Sequence, residues 1–200
     1  MTHTMQYELI SCDDLYRGFF SLKDYRLRFQ SFEGRWIGPV SREIFERGHA
    51  VAVLPYDPVR DQVVLIEQFR PGALDAPAGP WLLEIVAGMI EPGEAPAEVA
   101  RREMMEEAGL KVVRLMPITR FWVSPGGTTE STWIYAGIVD ASKAGGLHGL
   151  VDEHEDIRVH VLDRADALAR VSAGEICAAA PIIALQWLAL NHRQIRAQID

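Results

Sequence analysis

Residues 88–110, GMIEPGEAPAEVARREMMEEAGL, restrict the possible folds of this chain more than any other stretch. Gly88 is followed after five residues by Glu94 and after seven more by Arg102, and the run closes on Arg-Glu-Met-Met-Glu-Glu-Ala-Gly-Leu. At about 100° per residue, Ala97, Ala100, Met104 and Ala108 share one narrow helical arc, while Glu103, Glu106 and Glu107 share another. The first arc is expected to pack against a sheet and the second to face outward. Like charges three or four residues apart destabilise a helix by a few tenths of a kcal/mol each, so the carboxylates call for a cation. Gly88 and Gly93 bracket a loop entering the helix, and Gly109 stands where a helix end favours a positive φ. Glu94, near the helix N-terminus, complements the dipole, and Arg102 two turns later can reach back to it.

Hard divalent ions such as Mg²⁺ or Mn²⁺ take oxygen ligands, and Mg²⁺ is usually shared between carboxylates, waters and substrate phosphates. The pattern therefore fits phosphate chemistry, against the plainer alternative of a solvated acidic helix face.

Composition narrows the partners. A chain of 200 residues, 48% hydrophobic and 24% charged, can form one substantial domain with an extension. A net charge of −8 argues against nucleic acid, which needs a basic surface. Cys12 and Cys177 are too few for a disulfide framework, and the N-terminus lacks a basic segment followed by an apolar run. The expected compartment is the cytoplasm. No apolar stretch approaches the ~20 residues that span a bilayer; residues 178–190, interrupted by Pro181 and Gln186, read as a buried helix, so no membrane partner is expected.

Along the chain, residues 1–46 carry short alternating runs at Tyr7 to Ile10, Phe19 to Phe29 and Trp36 to Phe45, read as a small antiparallel sheet. Three short strands bury little alone, so this N-terminal β-sheet domain is expected to pack on a second copy of the chain as much as on its own, against the plainer alternative that it extends the main domain's sheet. Residues 47–200 form the expected catalytic domain. In it, 49–55 and 62–68 make a hairpin about the turn Asp57 to Asp61, Trp81 to Val86 is a strand, and 96–108 a helix. Lys111 to Val123 and Thr132 to Val139 are a second strand pair, 158–162 a further strand, and 164–171 and 181–192 helices. Strands mixed with helices in this order give an α/β class.

With these residues in place, the segment resembles the Nudix box, matching every defined position: Gly88, Glu94, Arg102, Glu103, Met104, Glu106, Glu107, Gly109 and Leu110. The resemblance implies a Nudix-type α/β/α sandwich with a mixed sheet, and a Mg²⁺-dependent hydrolase of nucleoside diphosphates linked to another moiety. It further implies that Glu103, Glu106 and Glu107, with the carbonyl of Ala87, hold the metal.

A second acidic group, Asp152-Glu153-His154-Glu155-Asp156, is either a solvated loop or the source of a base for the attacking water. In the ADP-ribose branch of the Nudix family a similar loop supplies both a base and a ligand; matched to it, Glu153 is the expected base and Glu155 a metal contact. Glu153, Glu107 and Glu103 are thus the expected catalytic residues. Pro125, fifteen residues beyond Leu110 in Ser124-Pro125-Gly126-Gly127, matches the proline that marks this branch. The same resemblance makes Arg42 and Arg70 phosphate or ribose contacts, as guanidinium forks suit phosphate oxygens. Ser124 and Pro125 join them as substrate contacts. Phe19 or Phe20 could stack on a purine. The implied substrate is ADP-ribose, with another nucleoside diphosphate sugar such as GDP-mannose as alternative and a non-catalytic sensor as a third reading. The implied assembly is a homodimer with exchanged N-terminal sheets.

Overall fold

A computed structural model describes residues 5–198, in two compact units. The first is the N-terminal sheet through His49 together with Trp122–Ser131. Strands β1 (Tyr7–Arg17), β2 (Ser21–Gln30) and β3 (Trp36–Glu46) pair antiparallel in chain order. The first strand runs seven residues past the expected end at Ile10. Asp13-Asp14 does not break it, because the ladder sets Asp14 opposite Lys23 and the two ion-pair at 4.0 Å. The segment 122–131 is tied to β3 in this unit: Phe45 N–H donates to the Gly127 carbonyl (2.8 Å), Thr129 Oγ1 to Glu46 (2.8 Å), and Arg47 pairs with Glu130 (3.3 Å). Tyr25 also hydrogen-bonds Glu46.

The second unit is built on a mixed sheet of strands β4 (His49–Asp57), β5 (Gln62–Phe69), β6 (Trp81–Glu84), β7 (Val86–Ile90), β8 (Arg114–Trp122), β9 (Ser131–Ile138), β10 (Gly146–His148) and β11 (Ile157–Asp163). The order is β10-β11-β5-β4-β9-β8, with β6 on β5 and β7 on β4. β4 and β9 run parallel, whereas β5 is antiparallel to β4, β6 and β11. Residues alternating along β4 and β5 feed two cores, as the strand period of two requires. Val51, Val53, Val64 and Ile66 pack with Val99, Ala100 and Met104 of helix α1 (Pro96–Ala108). Ala52, Leu54, Val63 and Leu65 pack with α2 (Arg164–Ala173) and α3 (Ala179–Arg196) through Ala167, Leu185 and Leu188. Helices therefore cover both faces of the sheet, the α/β layering expected from the sequence. Two strands were not expected: β7, which begins the stretch read as a loop, and the three-residue β10.

Two aspartates fix the β4–β5 turn. Asp57, 1% exposed, accepts from the amides of Val59, Arg60 and Ala141 at 2.9–3.0 Å and from Arg60 Nη1 at 2.7 Å. Asp61, held at φ 56°, accepts from Tyr56 Oη (2.7 Å) and from Arg164 through two nitrogens (2.9 and 3.0 Å), joining the turn to α2. These donors hold both carboxyls below the usual carboxylate range, against burial that pushes them up. Removing a buried acceptor strands its donors at about 1–3 kcal/mol. Asp57→Ala is therefore expected to lower unfolding stability by about 3 kcal/mol, read from urea denaturation midpoints.

Candidate active site

The site forms where α1 lies against β7. Ala95 in extended conformation precedes the helix, Pro96 opens it with φ already fixed, and Gly109 at φ 63° closes it. The N–H groups of Gly109 and Leu110 return to the carbonyls of Met105 and Met104.

The carboxylate arc does not face outward as a whole. Glu107 is 3% and Glu103 9% exposed, whereas Glu106 is half-buried. The helix buries a flank of its acidic face as well as its apolar arc, because β7 offers polar backbone there. Ala87 N–H donates to Glu107 Oε2 at 2.9 Å. The Glu103 carboxylate lies on Gly88: a Cβ at that position would stand 2.0 Å from Glu103 Oε1 and 2.2 Å from its Cδ. Gly88 is thus a space requirement, where the sequence alone suggested a loop residue.

Arg102 supplies positive charge locally. Its Nη1 lies 2.9 Å from Glu103 and 3.2 Å from Glu106, and Nη2 3.8 Å from Glu94, the backward reach expected from the spacing. Glu94 in turn accepts from Glu91 N–H at 2.9 Å, which closes the loop before the helix.

Two further segments approach from the sheet and the acidic loop. Arg70, just past β5, is bound through Nε to Glu84 Oε2 of β6 at 2.6 Å, and its charge is felt at Glu107. Glu155 is also close enough to act on Glu107 electrostatically, and its Oε2 accepts from Leu150 N–H at 3.3 Å. Gly149, at φ 99°, leaves room for Glu155, whose Cβ would be 2.8 Å from any Cβ there. Ala87, Glu103, Glu155 and Arg70 thus all act on Glu107, whereas Glu106 is linked to Glu103 through Arg102. Glu84 was not singled out from the sequence; its position on β6 opposite Ile66 of β5, from which it meets the Arg70 side chain, is a pairing fact that no local pattern reveals. Glu153 ends a short turn, Val151–Glu153, and its side chain lies outside the described residues.

The other expected substrate contacts belong to the N-terminal unit. Phe19 is 89% exposed and meets Phe20 edge-on at 4.7 Å; Phe20 is the more buried, set between Phe45 and Arg47. Arg42 lies exposed on β3, donating to the Ser41 carbonyl at 2.8 Å. Ser124 and Pro125 stand exposed in a tight turn, with the Ser124 carbonyl accepting from Gly127 and Thr128 N–H at 2.9 Å.

The donor set fits a hard divalent cation chemically. Burial pushes the Glu107 carboxyl up to about 8; the Ala87 N–H opposes this, the Glu103 and Glu155 carboxylates add to it, and Arg70 opposes it. An oxygen-rich, buried group short of positive charge is what such a cation would satisfy. Among the described residues no three acidic, His or Cys side chains converge on one point. Glu103 and Glu106 turn to Arg102, and Glu107 to the Ala87 amide.

A Nudix domain model matches residues 46–179. The chain belongs to the Nudix hydrolase superfamily. It is 57% identical over 189 residues to an ADP-ribose pyrophosphatase of Escherichia coli K12, covering 94% of this chain and 90% of that protein. It is 45% identical over 192 residues to an ADP-ribose pyrophosphatase of Haemophilus influenzae, covering 94% and 88%. A GDP-mannose pyrophosphatase of Yersinia pestis is 33% identical over 193 residues, covering 94% of each. In fold, the chain matches a crystal structure of an ADP compounds hydrolase with a TM-score of 0.70 at 20% identity, covering 96% of this chain and all of that one. Among the described residues no helix is long and apolar enough to cross a membrane.

The buried carboxyl predicts a pH-dependent stability for this Nudix protein. With Glu107 titrating at about 8 in the fold and at the ordinary 4.5 when unfolded, the folded state holds more protons between those values. Its metal-free stability therefore falls as pH rises through that window. Urea midpoints in chelator are expected to drop from pH 5 to pH 8, and Glu107→Gln to flatten that dependence.

Proposed function

We propose that this chain hydrolyses the pyrophosphate bond of ADP-ribose to AMP and ribose 5-phosphate. The observation that carries the reading is the 57% identity, over 94% of the chain, to a protein named for that activity, in a chain whose carboxylate box is complete. Water adds to one phosphorus while the bridging P–O bond breaks and its oxygen leaves with the other phosphate. Glu103, Glu106 and Glu107, with the Ala87 carbonyl and Glu155, would hold Mg²⁺ or Mn²⁺. When bound, the cation would supply charge neutralisation at the pyrophosphate oxygens. Arg70, oriented by Glu84, directs guanidinium charge to a phosphate. Glu153 takes a proton from the attacking water. Phe19, Arg42, Ser124 and Pro125 bind the nucleoside side of the substrate, Phe19 by stacking on the base. The 33% identical relative supports GDP-mannose as the second reading.

The working form is a cytoplasmic homodimer with exchanged N-terminal sheets. Supporting this, Tyr7, Leu15, Tyr16, Phe19, Phe32 and Trp36 all stay exposed on the small N-terminal unit.

Product analysis with ADP-ribose and GDP-mannose under Mg²⁺ tests the substrate; faster cleavage of GDP-mannose would reverse the ranking. Glu107→Gln is expected to lower kcat about 10²- to 10³-fold with the fold intact by circular dichroism. Glu153→Gln should lower kcat without moving the Mg²⁺ midpoint, whereas Glu155→Gln should shift that midpoint. For the exchanged sheet, refolding Arg42→Ala together with Glu107→Gln should restore activity that neither variant has alone, because mixed dimers rebuild one intact site. No recovery would mean that each subunit completes its own site.

A further inference from the structure

Among the described residues, one buried side-chain polar atom has no hydrogen-bond partner: Oε1 of Gln68. Gln68 lies on β5 and is 8% exposed. Strand alternation sets it on the α1 face with Val64 and Ile66. Arg70, extended at φ −123° and ψ 105°, continues that alternation. Across on β6, Leu82 stands opposite Gln68 and Glu84 opposite Ile66. On the other side, the ladder to β11 ends at Arg158 opposite Glu67, one residue before Gln68.

The residues on either side of Gln68 are partnered on the opposite face. Glu67 takes His160 at 2.9 Å and Arg158 at 3.6 Å, and Phe69 meets Trp81 edge-on at 5.3 Å. Gln68 Oε1 is thus an open acceptor on a strand face shared with Ile66, opposite Leu82 of β6 and one alternation step from Arg70. A buried carbonyl without a donor destabilises the fold, and such atoms are rare in native proteins. A carbonyl oxygen cannot bind a phosphate oxygen, since both only accept. The donors that a nucleoside diphosphate sugar carries next to its phosphates are sugar hydroxyls.

We propose that Gln68 is a substrate-binding residue whose Oε1 accepts a hydrogen bond from a sugar hydroxyl of the nucleoside diphosphate sugar while Arg70 holds the adjoining phosphate. This rests on the substrate class proposed above. A site that provides a buried acceptor for a hydroxyl discriminates against analogues lacking it, because the acceptor is then left unpaired.

Gln68→Met keeps the length of the side chain and removes the acceptor, and it separates two roles. An acceptor kept for substrate is unsatisfied in the free protein, so its removal leaves the urea midpoint of substrate-free protein equal to or above that of the parent. KM for ADP-ribose is expected to rise about tenfold with kcat within about twofold. An unchanged KM overturns the assignment. So does a lowered urea midpoint, which would make Oε1 part of an internal bond that holds β5. The parent is assayed in parallel: if it leaves ADP-ribose intact, the substrate reading itself falls, whereas a parent that turns ADP-ribose over while the variant keeps its KM refutes the role of Gln68 alone.

Discussion

The bond from Ala87 N–H to Glu107 is the contact on which the site depends. It anchors a carboxylate at the seam between α1 and β7, where water cannot solvate it, and the neighbouring Glu103 and Glu155 raise the electrostatic cost. A helix that only needed to pack on the sheet would fill this position with an aliphatic residue, as it does at Val99, Ala100 and Met104. The fold accepts a destabilising group here, and strain of this kind concentrates where a ligand relieves it.

The surroundings read as responses to that group. Arg102 gathers Glu94, Glu103 and Glu106 on the outer side of the helix and forms no ion pair with Glu107. Arg70 reaches it from the sheet and is itself held by Glu84. The remainder of the second unit supplies rigidity. Asp57 and Asp61 satisfy the turn between the two central strands with nearly every donor in reach, and the sheet is covered on both faces. Buried networks of this type hold their members in one arrangement when all of them are satisfied.

Local signals carried much of this into the sequence. The helix spans Pro96–Ala108 as its caps and periodicity require, and the approach of Arg102 to Glu94 follows from two turns of rise. The central hairpin and the two covering helices were legible from apolar runs and turn residues. What was not legible depends on partners distant in the chain. Asp61 meets Arg164, and Asp57 the amide of Ala141, across loops that no window of sequence contains. Strand β10 has three residues and is defined only by its pairing with β11. The burial of Glu103 and Glu107 was misjudged for the same reason: a helical wheel shows which residues share a face, but not that β7 passes close enough to cover them.

Gly88 and Glu103 meet more closely than any side chain at position 88 would allow. Fifteen positions apart in sequence, they compete for one volume, so the residue at either position limits what the other can be. A lineage that lost the carboxylate would free position 88 to acquire a side chain, and that side chain would then bar the carboxylate from returning. The seam would thus be easier to lose than to regain, because restoring the carboxylate would first require glycine at position 88.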